Sequence, residues 1–468
     1  MEYRDTARDF LGRGWSFPMG VDPATGRVVS AIGIVRLSGE GCIPLAFSVF
    51  TPRGQATAKT AEDRKLILGA LHDRQGRIID EAMLTVSRAP HSYTGEDTAE
   101  FHCHGSPAVL SAALEALFAK GARQAGPGEF TKRAFLNGRM DLTQAEAVID
   151  LIEAESAEAA ANAAGQLGGA MGKKITPVYD RLTDVLAHFH AELDYPDEDI
   201  DPLVLSEVEA AMAYCAGKLR EILATYGRGQ VLRRGIRAVI LGKPNAGKSS
   251  LLNALAGFDR VIVTDIAGTT RDTVEETVKV GRHLLRLMDT AGIRDTSDEI
   301  ERLGVARAEA AAREADLAIY VCDSAAELTD EDFRAQEAAQ EAPAAIAILN
   351  KQDLPQVVAP SDLPFEWIVP LSAKTGAGIE QLEDALDAIF DEDIPCDGSI
   401  LTNTRQAGAC ARALEALERC RQGLAAAIPP DAALTDVEEA LEALGEITGK
   451  SMREEVVGKI FSRFCVGK

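Results

Sequence analysis

The sequence predicts a chain that is part α/β and part α: an amino-terminal α/β domain, a helical domain in two segments, and a second α/β domain inserted between them. Three observations lead there. The middle third alternates short apolar runs with Ala/Glu-rich stretches around one glycine loop. Residues 141–230 and 400–464 are rich in Ala, Leu, Glu and Arg, with apolar residues at helical spacing. The first 138 residues mix strand-like and helix-like runs, without an internal repeat.

The elements follow in order. Ile32–Leu37 and Ile78–Val86 read as strands, and Pro107–Ala119 as a helix. Leu182, Val185, Leu186 and Phe189 form one helical stripe, and Leu414, Leu417 and Leu424 another. Neither flank buries its stripe alone, so the two are expected to pack together. Asp197-Glu-Asp-Ile-Asp201, between Pro196 and Pro202, reads as a solvated acidic turn. In the insert, Arg237–Leu241 is a short apolar strand ending at the glycine loop, and Ser249–Ala256 the helix after it. Thr273–Val280 alternates like an exposed strand, and His283–Asp289 runs back beside it. Leu317–Cys322, Ala344–Asn350 and Trp367–Leu371 are buried-strand candidates separated by helical sequence. This rhythm implies a largely parallel sheet with functional loops at the strands' carboxyl ends. Domain boundaries are placed at 1–138, 139–231, 232–396 and 397–468.

A length of 468 residues fits about three domains. No apolar run approaches a membrane span, and the start, with Arg4, Asp5 and Arg8, lacks the apolar core of a signal peptide. The eight cysteines are scattered without metal-ligand spacing, so neither a zinc site nor a disulfide framework is expected, and the cytoplasm is the expected compartment. His102, Cys103 and His104 look like a metal cluster on paper, but neighbours on a strand face alternate sides. A net charge of −24 excludes broad attraction to a phosphate backbone. Any nucleic acid must be met locally, or through a more basic partner.

Gly242-Lys-Pro-Asn-Ala-Gly247-Lys248-Ser249 fits the phosphate-cradling pattern G-x-x-x-x-G-K-[ST]. Its backbone N–H groups and the helix N-terminus attract anions, Lys248 adds charge to the outer phosphates, and the Ser249 hydroxyl suits magnesium. Asn245, Ala246, Gly247 and Ser250 complete that contact. Thr264, Asp265, Ile266, Ala267, Gly268, Thr269 and Thr270 lie on a following loop that can bring a second hydroxyl to the metal. Asp289, Thr290, Ala291 and Gly292 supply a carboxylate near the metal and a glycine near the γ-phosphate. Asn350-Lys351-Gln352-Asp353 has the N-K-x-D form. A carboxylate at Asp353 accepts two hydrogen bonds from guanine that adenine does not offer. Ser372, Ala373 and Lys374 are expected to close over the base. The chain therefore reads as a GTP-binding, magnesium-dependent switch.

The residue after Gly292 is Ile293, an apolar side chain that cannot orient an attacking water. Glu301 is the candidate for that task; its alternative reading is helix surface. Arg271 and Arg294 flank the switch motifs and can serve as arginine fingers or be solvated loop residues. A monovalent cation near Asn245 is the other way to place positive charge along the phosphates.

Several further stretches carry a resemblance. They are Ser92-Tyr-Thr-Gly-Glu-Asp97, Phe101-His-Cys-His-Gly105, Pro127-Gly-Glu-Phe130, Arg133-Ala-Phe-Leu-Asn137 and Asp141-Leu-Thr-Gln-Ala-Glu-Ala147. Asn245-Ala-Gly-Lys-Ser-Ser250, Asp265-Ile-Ala-Gly-Thr-Thr-Arg-Asp272 and the terminal Phe464-Cys-Val-Gly-Lys468 complete the set. With them the chain resembles the MnmE (TrmE) family of tRNA-modification GTPases, over almost everything after about residue 31. The resemblance implies an amino-terminal α/β domain that dimerises and binds a tetrahydrofolate, a discontinuous helical domain, and an inserted Ras-like P-loop G domain. It implies a folate site of Arg36, Glu100, Arg139 and Lys468, with Arg139 standing where the family has lysine. It places potassium at Asn245, Thr264, Ile266 and Thr269, magnesium at Ser249 and Thr270, the general-base glutamate at Glu301, and a functional requirement at Cys465.

The implied activity is GTP-driven modification at C5 of the wobble uridine of certain tRNAs, to aminomethyl or carboxymethylaminomethyl groups. It uses 5-formyl- or methylene-tetrahydrofolate and an FAD-dependent partner of the MnmG type, in a heterotetramer with the homodimer. The alternative reading is a GTPase switch for ribosome assembly, which gives the carboxyl-terminal Cys465-Val-Gly-Lys468 no evident purpose. Residues 1–30, with Phe10-Leu-Gly-Arg-Gly-Trp15, do not resemble the family's first strand and read as an atypical amino terminus.

Overall fold

The computed structural model describes residues 10–12, 31–194, 204–258, 276–288, 309–390, 395–451, 454–462 and 464. The chain divides into two compact units: residues 1–149, 166–216 and 412–468 in one, and 150–165 and 217–411 in the other.

The first unit holds a seven-stranded sheet. Its strands are β1 (Phe10–Gly12), β2 (Ile32–Ser38), β3 (Phe50–Pro52), β4 (Ile67–His72), β5 (Ile78–Ser87), β6 (Thr98–His104) and β7 (Arg123–Gln124), in the order β3-β4-β5-β6-β2-β1-β7. All pairs are antiparallel except β1 with β7. Within the residues 1–30 that read as an atypical amino terminus, Phe10–Gly12 pairs with β2 on one side and β7 on the other. Period-2 alternation sorts the sheet's faces. Val35, Leu37, Leu84, Phe101 and Cys103 are buried beside Ala113, Ala116 and Leu117 of the helix Pro107–Ala119. That helix starts with proline in its first turn, where a missing N–H costs nothing. Arg36, Glu100 and His102 point to the other face, with Arg36 registered opposite Glu100.

The helical part of this unit joins both flanks. The helix Ala170–Asp194 packs on the helix Pro430–Thr448, with Leu182, Leu186, Leu434 and Val437 buried. The Lys450 ammonium sits 4.3 Å above the Tyr179 ring. The stripe therefore finds its partner across more than two hundred residues of intervening chain.

The second unit is built on a six-stranded sheet: β8 (Ile236–Leu241), β9 (Glu276–Val280), β10 (His283–Leu287), β11 (Leu317–Asp323), β12 (Ala345–Asn350) and β13 (Trp367–Pro370), ordered β13-β12-β11-β8-β10-β9. Every pair is parallel except β9 with β10. Two cores result. Ile236, Ala238 and Ile240 face Leu251, Leu255, Leu382 and Leu386, while Val239, Leu241 and Tyr320 face Ala338, Ala339 and Leu363. A sheet covered on both sides has uniformly apolar strands, which is why β11 is buried from Leu317 through Cys322. Its loops at the carboxyl ends of β8, β11, β12 and β13 carry the site.

Candidate functional site

β8 ends at Leu241 and the helix Lys248–Phe258 begins seven residues later. The turn between them depends on two glycines. Gly242 has φ +145°, and a Cβ there would lie 2.3 Å from the Val321 carbonyl of β11. Gly247 has φ +102°, and a Cβ would lie 2.1 Å from Asn350 Nδ2. Only glycine fits such close approaches. Asn245 also takes a positive φ, 64°, a conformation that asparagine tolerates better than most residues. Lys248 Nζ donates to the carbonyls of Gly242 at 2.6 Å and Lys243 at 2.9 Å, which ties the loop's two ends together. Burial pushes the Lys248 ammonium below the ordinary lysine range, with Glu331 acting in the opposite sense. Ser249 and Ser250 lie in the first turn of the helix that follows.

β12 and β13 deliver the base-reading corner. Asn350 is buried; its Nδ2 donates to the Ala246 carbonyl at 2.9 Å, and its Oδ1 accepts from the Ala373 N–H at 3.0 Å. One side chain thus links the phosphate loop to the Ser372-Ala-Lys374 turn. Lys351, at φ 65°, donates from Nζ to Asp323 Oδ2 at 2.6 Å. Asp353 Oδ1 accepts from the Ser372 hydroxyl at 2.8 Å, and the Lys374 ammonium lies 3.7 Å from Oδ2. The Ser372 bond, with Lys374 helping, holds the Asp353 carboxyl below the usual range. Asp353 is therefore a fixed, ionised double acceptor at neutral pH, which a guanine edge requires.

The structure unites Asn245, Ala246, Gly247, Lys248, Asn350, Lys351, Asp353, Ser372, Ala373 and Lys374 around one end of the sheet. Thr264 to Thr270, Arg271, Asp289 to Gly292, Ile293, Arg294 and Glu301 lie outside the described residues, as do Asp197 to Asp201, Cys465 and Lys468. Sequence reasoning missed Asp323. Its signal was an acidic residue closing an otherwise apolar buried strand. A cavity of about 420 Å³ elsewhere in this unit, walled by Val231, Ile236, His283, Leu284 and Phe390, includes none of the phosphate or base residues.

In the first unit, Arg36 Nε donates to Glu100 Oε1 at 2.6 Å. The guanidinium lies 5.8 Å from the Tyr93 ring and 5.7 Å from the Phe130 ring. Arg139 Nε donates to the Ser92 carbonyl at 3.1 Å. The Ser92–Glu96 loop thus meets Arg36 through Tyr93 and Arg139 through the Ser92 carbonyl. Burial alone raises the Glu100 carboxyl, but His102 and Arg36 outweigh it and hold it below its usual value. The paper metal cluster separates as alternation requires: Cys103 is buried in the core, while on the opposite face His104 Nδ1 pairs with Asp80 at 2.7 Å. Phe464, the last described residue, packs on Phe461 with ring centroids 5.0 Å apart and lies against Gly128.

A largely parallel sheet with a glycine phosphate loop after β8 and an N-K-x-D corner after β12 defines a P-loop protein of the guanine-nucleotide class. Comparison with known proteins narrows this. Residues 142–465 match the model of the MnmE helical domain, and residues 21–139 that of the GTP-binding protein TrmE N-terminus. Proteins named tRNA modification GTPase MnmE are similar along nearly the whole chain. That of Synechococcus sp. (strain JA-3-3Ab) is 44% identical, covering 94% of this chain and 95% of that protein. Those of Aquifex aeolicus and Streptococcus thermophilus are 42% and 41% identical, each over 94% of this chain and 97% and 96% of theirs. The chain belongs to the MnmE family.

Proposed function

We propose that this chain is a cytoplasmic, GTP-hydrolysing tRNA-modification protein. It acts as a homodimer with an FAD-dependent partner of the MnmG type at C5 of the wobble uridine, leaving an aminomethyl or carboxymethylaminomethyl group, with a tetrahydrofolate as one-carbon donor. The observation that carries the reading is Asp353, fixed and ionised by Ser372 beside a glycine phosphate loop, in a chain 41–44% identical to proteins named tRNA modification GTPases. No helix among the described residues is long and apolar enough to cross a membrane.

In this reading the loop amides and Lys248 hold the triphosphate while Asp353 selects guanine. Ser249 offers a hard hydroxyl oxygen at the helix start, the donor type magnesium takes; with Thr270 it would hold that ion, which neutralises charge on the outer phosphates. Asn245, Thr264, Ile266 and Thr269 would hold potassium, and Glu301 positions the attacking water. Replacing Glu301 by Ala should slow hydrolysis at nearly unchanged GDP affinity, and exchanging potassium for sodium should lower turnover. Wild-type turnover of the variant would remove Glu301 from the mechanism, and indifference to the ion would favour Arg271 or Arg294.

Arg36, Glu100, Arg139 and Lys468 form the folate site, and Cys465 is a functionally required residue. Two aromatic rings flank Arg36, and Glu100 keeps an ionised carboxylate beside them. A pterin presents a paired N–H edge much like guanine's, so an ionised carboxylate suits it. Titration with 5-formyltetrahydrofolate tests this. Binding should weaken at least about tenfold in Glu100→Gln, and a folded wild-type chain that ignores the ligand would sink the folate assignment.

A further inference from the structure

Within G-x-x-x-x-G-K-[ST] the second position is free, so nothing in the pattern gives Lys243 a task. A loop lysine is ordinarily solvated. This one is not: its side chain is 14% exposed, and Nζ donates to Asp332 Oδ2 at 2.7 Å and to the Glu327 carbonyl at 3.3 Å. Asp332 is fully buried. Its Oδ2 also accepts from the Thr329 N–H at 2.9 Å and hydroxyl at 2.8 Å, the capping box of the helix Asp330–Ala339. Its Oδ1 accepts from the Tyr320 hydroxyl at 3.3 Å, and Gln336 donates to that same hydroxyl at 3.3 Å. A desolvated pair this well surrounded fixes geometry, because every alternative leaves a buried charge without its partner.

What it fixes is the entry to the phosphate loop. The Lys243 carbonyl takes both Lys248 Nζ, at 2.9 Å, and the Ala246 N–H, at 3.3 Å. Residue 243 is therefore held by its side chain on one side, while its carbonyl holds the loop on the other. The same segment, 323–332, anchors the base end as well, since Asp323 binds Lys351 and Ser324 N–H donates to the Asn350 carbonyl at 3.2 Å.

We propose that Lys243 is a positioning residue of the nucleotide site: locked to Asp332, it pre-sets the loop whose amides receive the phosphates. The proposal rests on the guanine-nucleotide reading of this domain. Pre-organisation of this kind acts on binding rather than on the chemical step.

The test uses the full chain, with GDP affinity by calorimetry and steady-state GTP hydrolysis. Lys243→Met should weaken GDP binding about tenfold and raise KM similarly, with kcat within about twofold. Lys243→Arg, which keeps the charge and can reach the same acceptors, should stay within about threefold of wild type. Because Lys243→Met strands a buried carboxylate and can fail to fold, the double variant Lys243→Met with Asp332→Asn carries the same comparison. A folded double variant that binds GDP as wild type does, or a loss confined to kcat, overturns the proposal. If wild type itself ignores GDP, it is the guanine-nucleotide reading that fails instead.

Discussion

At the scale of single residues the site's selectivity rests on the charge of Asp353. Asp353→Asn exchanges an acceptor for a donor, so preference should move from GTP toward xanthosine triphosphate, measured by competition; unchanged selectivity would refute the contact. The pH dependence follows from the Ser372 bond. The carboxyl is held below its ordinary value of 3.8, chiefly by that bond, so it stays ionised, and GDP binding persists, as pH falls toward that value. Ser372→Ala removes the largest stabiliser of the ionised form. Its acid limb of GDP binding should therefore lie at higher pH than the wild type's, and coincident limbs would assign Ser372 to loop packing alone. These residues were legible because they sit in contiguous motifs. Asp323 and Asp332 were not, since each acts on a lysine far away in sequence, and only the fold shows a buried carboxylate meeting it.

At the scale of elements, parallel strands announced themselves as unbroken apolar runs: Leu317–Asp323 and Ala345–Asn350 fall within one residue of the runs read from sequence. β1 did not announce itself. Three residues, Phe10–Gly12, carry no periodicity, and the strand exists only because β2 and β7 present open edges to it. The loop between β8 and its helix makes the sharpest demand on backbone. Gly247→Ala places a methyl 2.1 Å from Asn350 Nδ2 at a φ of +102°. Either the loop moves or Asn350 gives up its bonds to Ala246 and Ala373. Strain of about 1–3 kcal/mol at such a position predicts GDP binding roughly ten- to hundredfold weaker, readable by calorimetry. Wild-type affinity would mean the loop relaxes without cost.

At the scale of the whole molecule, the dominant quantity is the net charge of −24. A tRNA is a polyanion, and its field and the protein's oppose each other at long range. Binding between this chain alone and tRNA must then come from a small number of local contacts. Each phosphate neutralised releases counterions and steepens the fall of affinity with salt, so the slope counts the contacts. A protein that neutralises six to ten phosphates loses about 10³–10⁵ in affinity between 50 and 200 mM salt. For this chain by itself the loss should stay below about tenfold, equivalent to fewer than roughly two phosphates. The measurement is a salt titration of tRNA binding by fluorescence anisotropy, first with the chain alone and then with the proposed flavoprotein partner added. A steep slope for the chain alone would show a concentrated basic surface that its overall charge conceals, and would overturn this expectation.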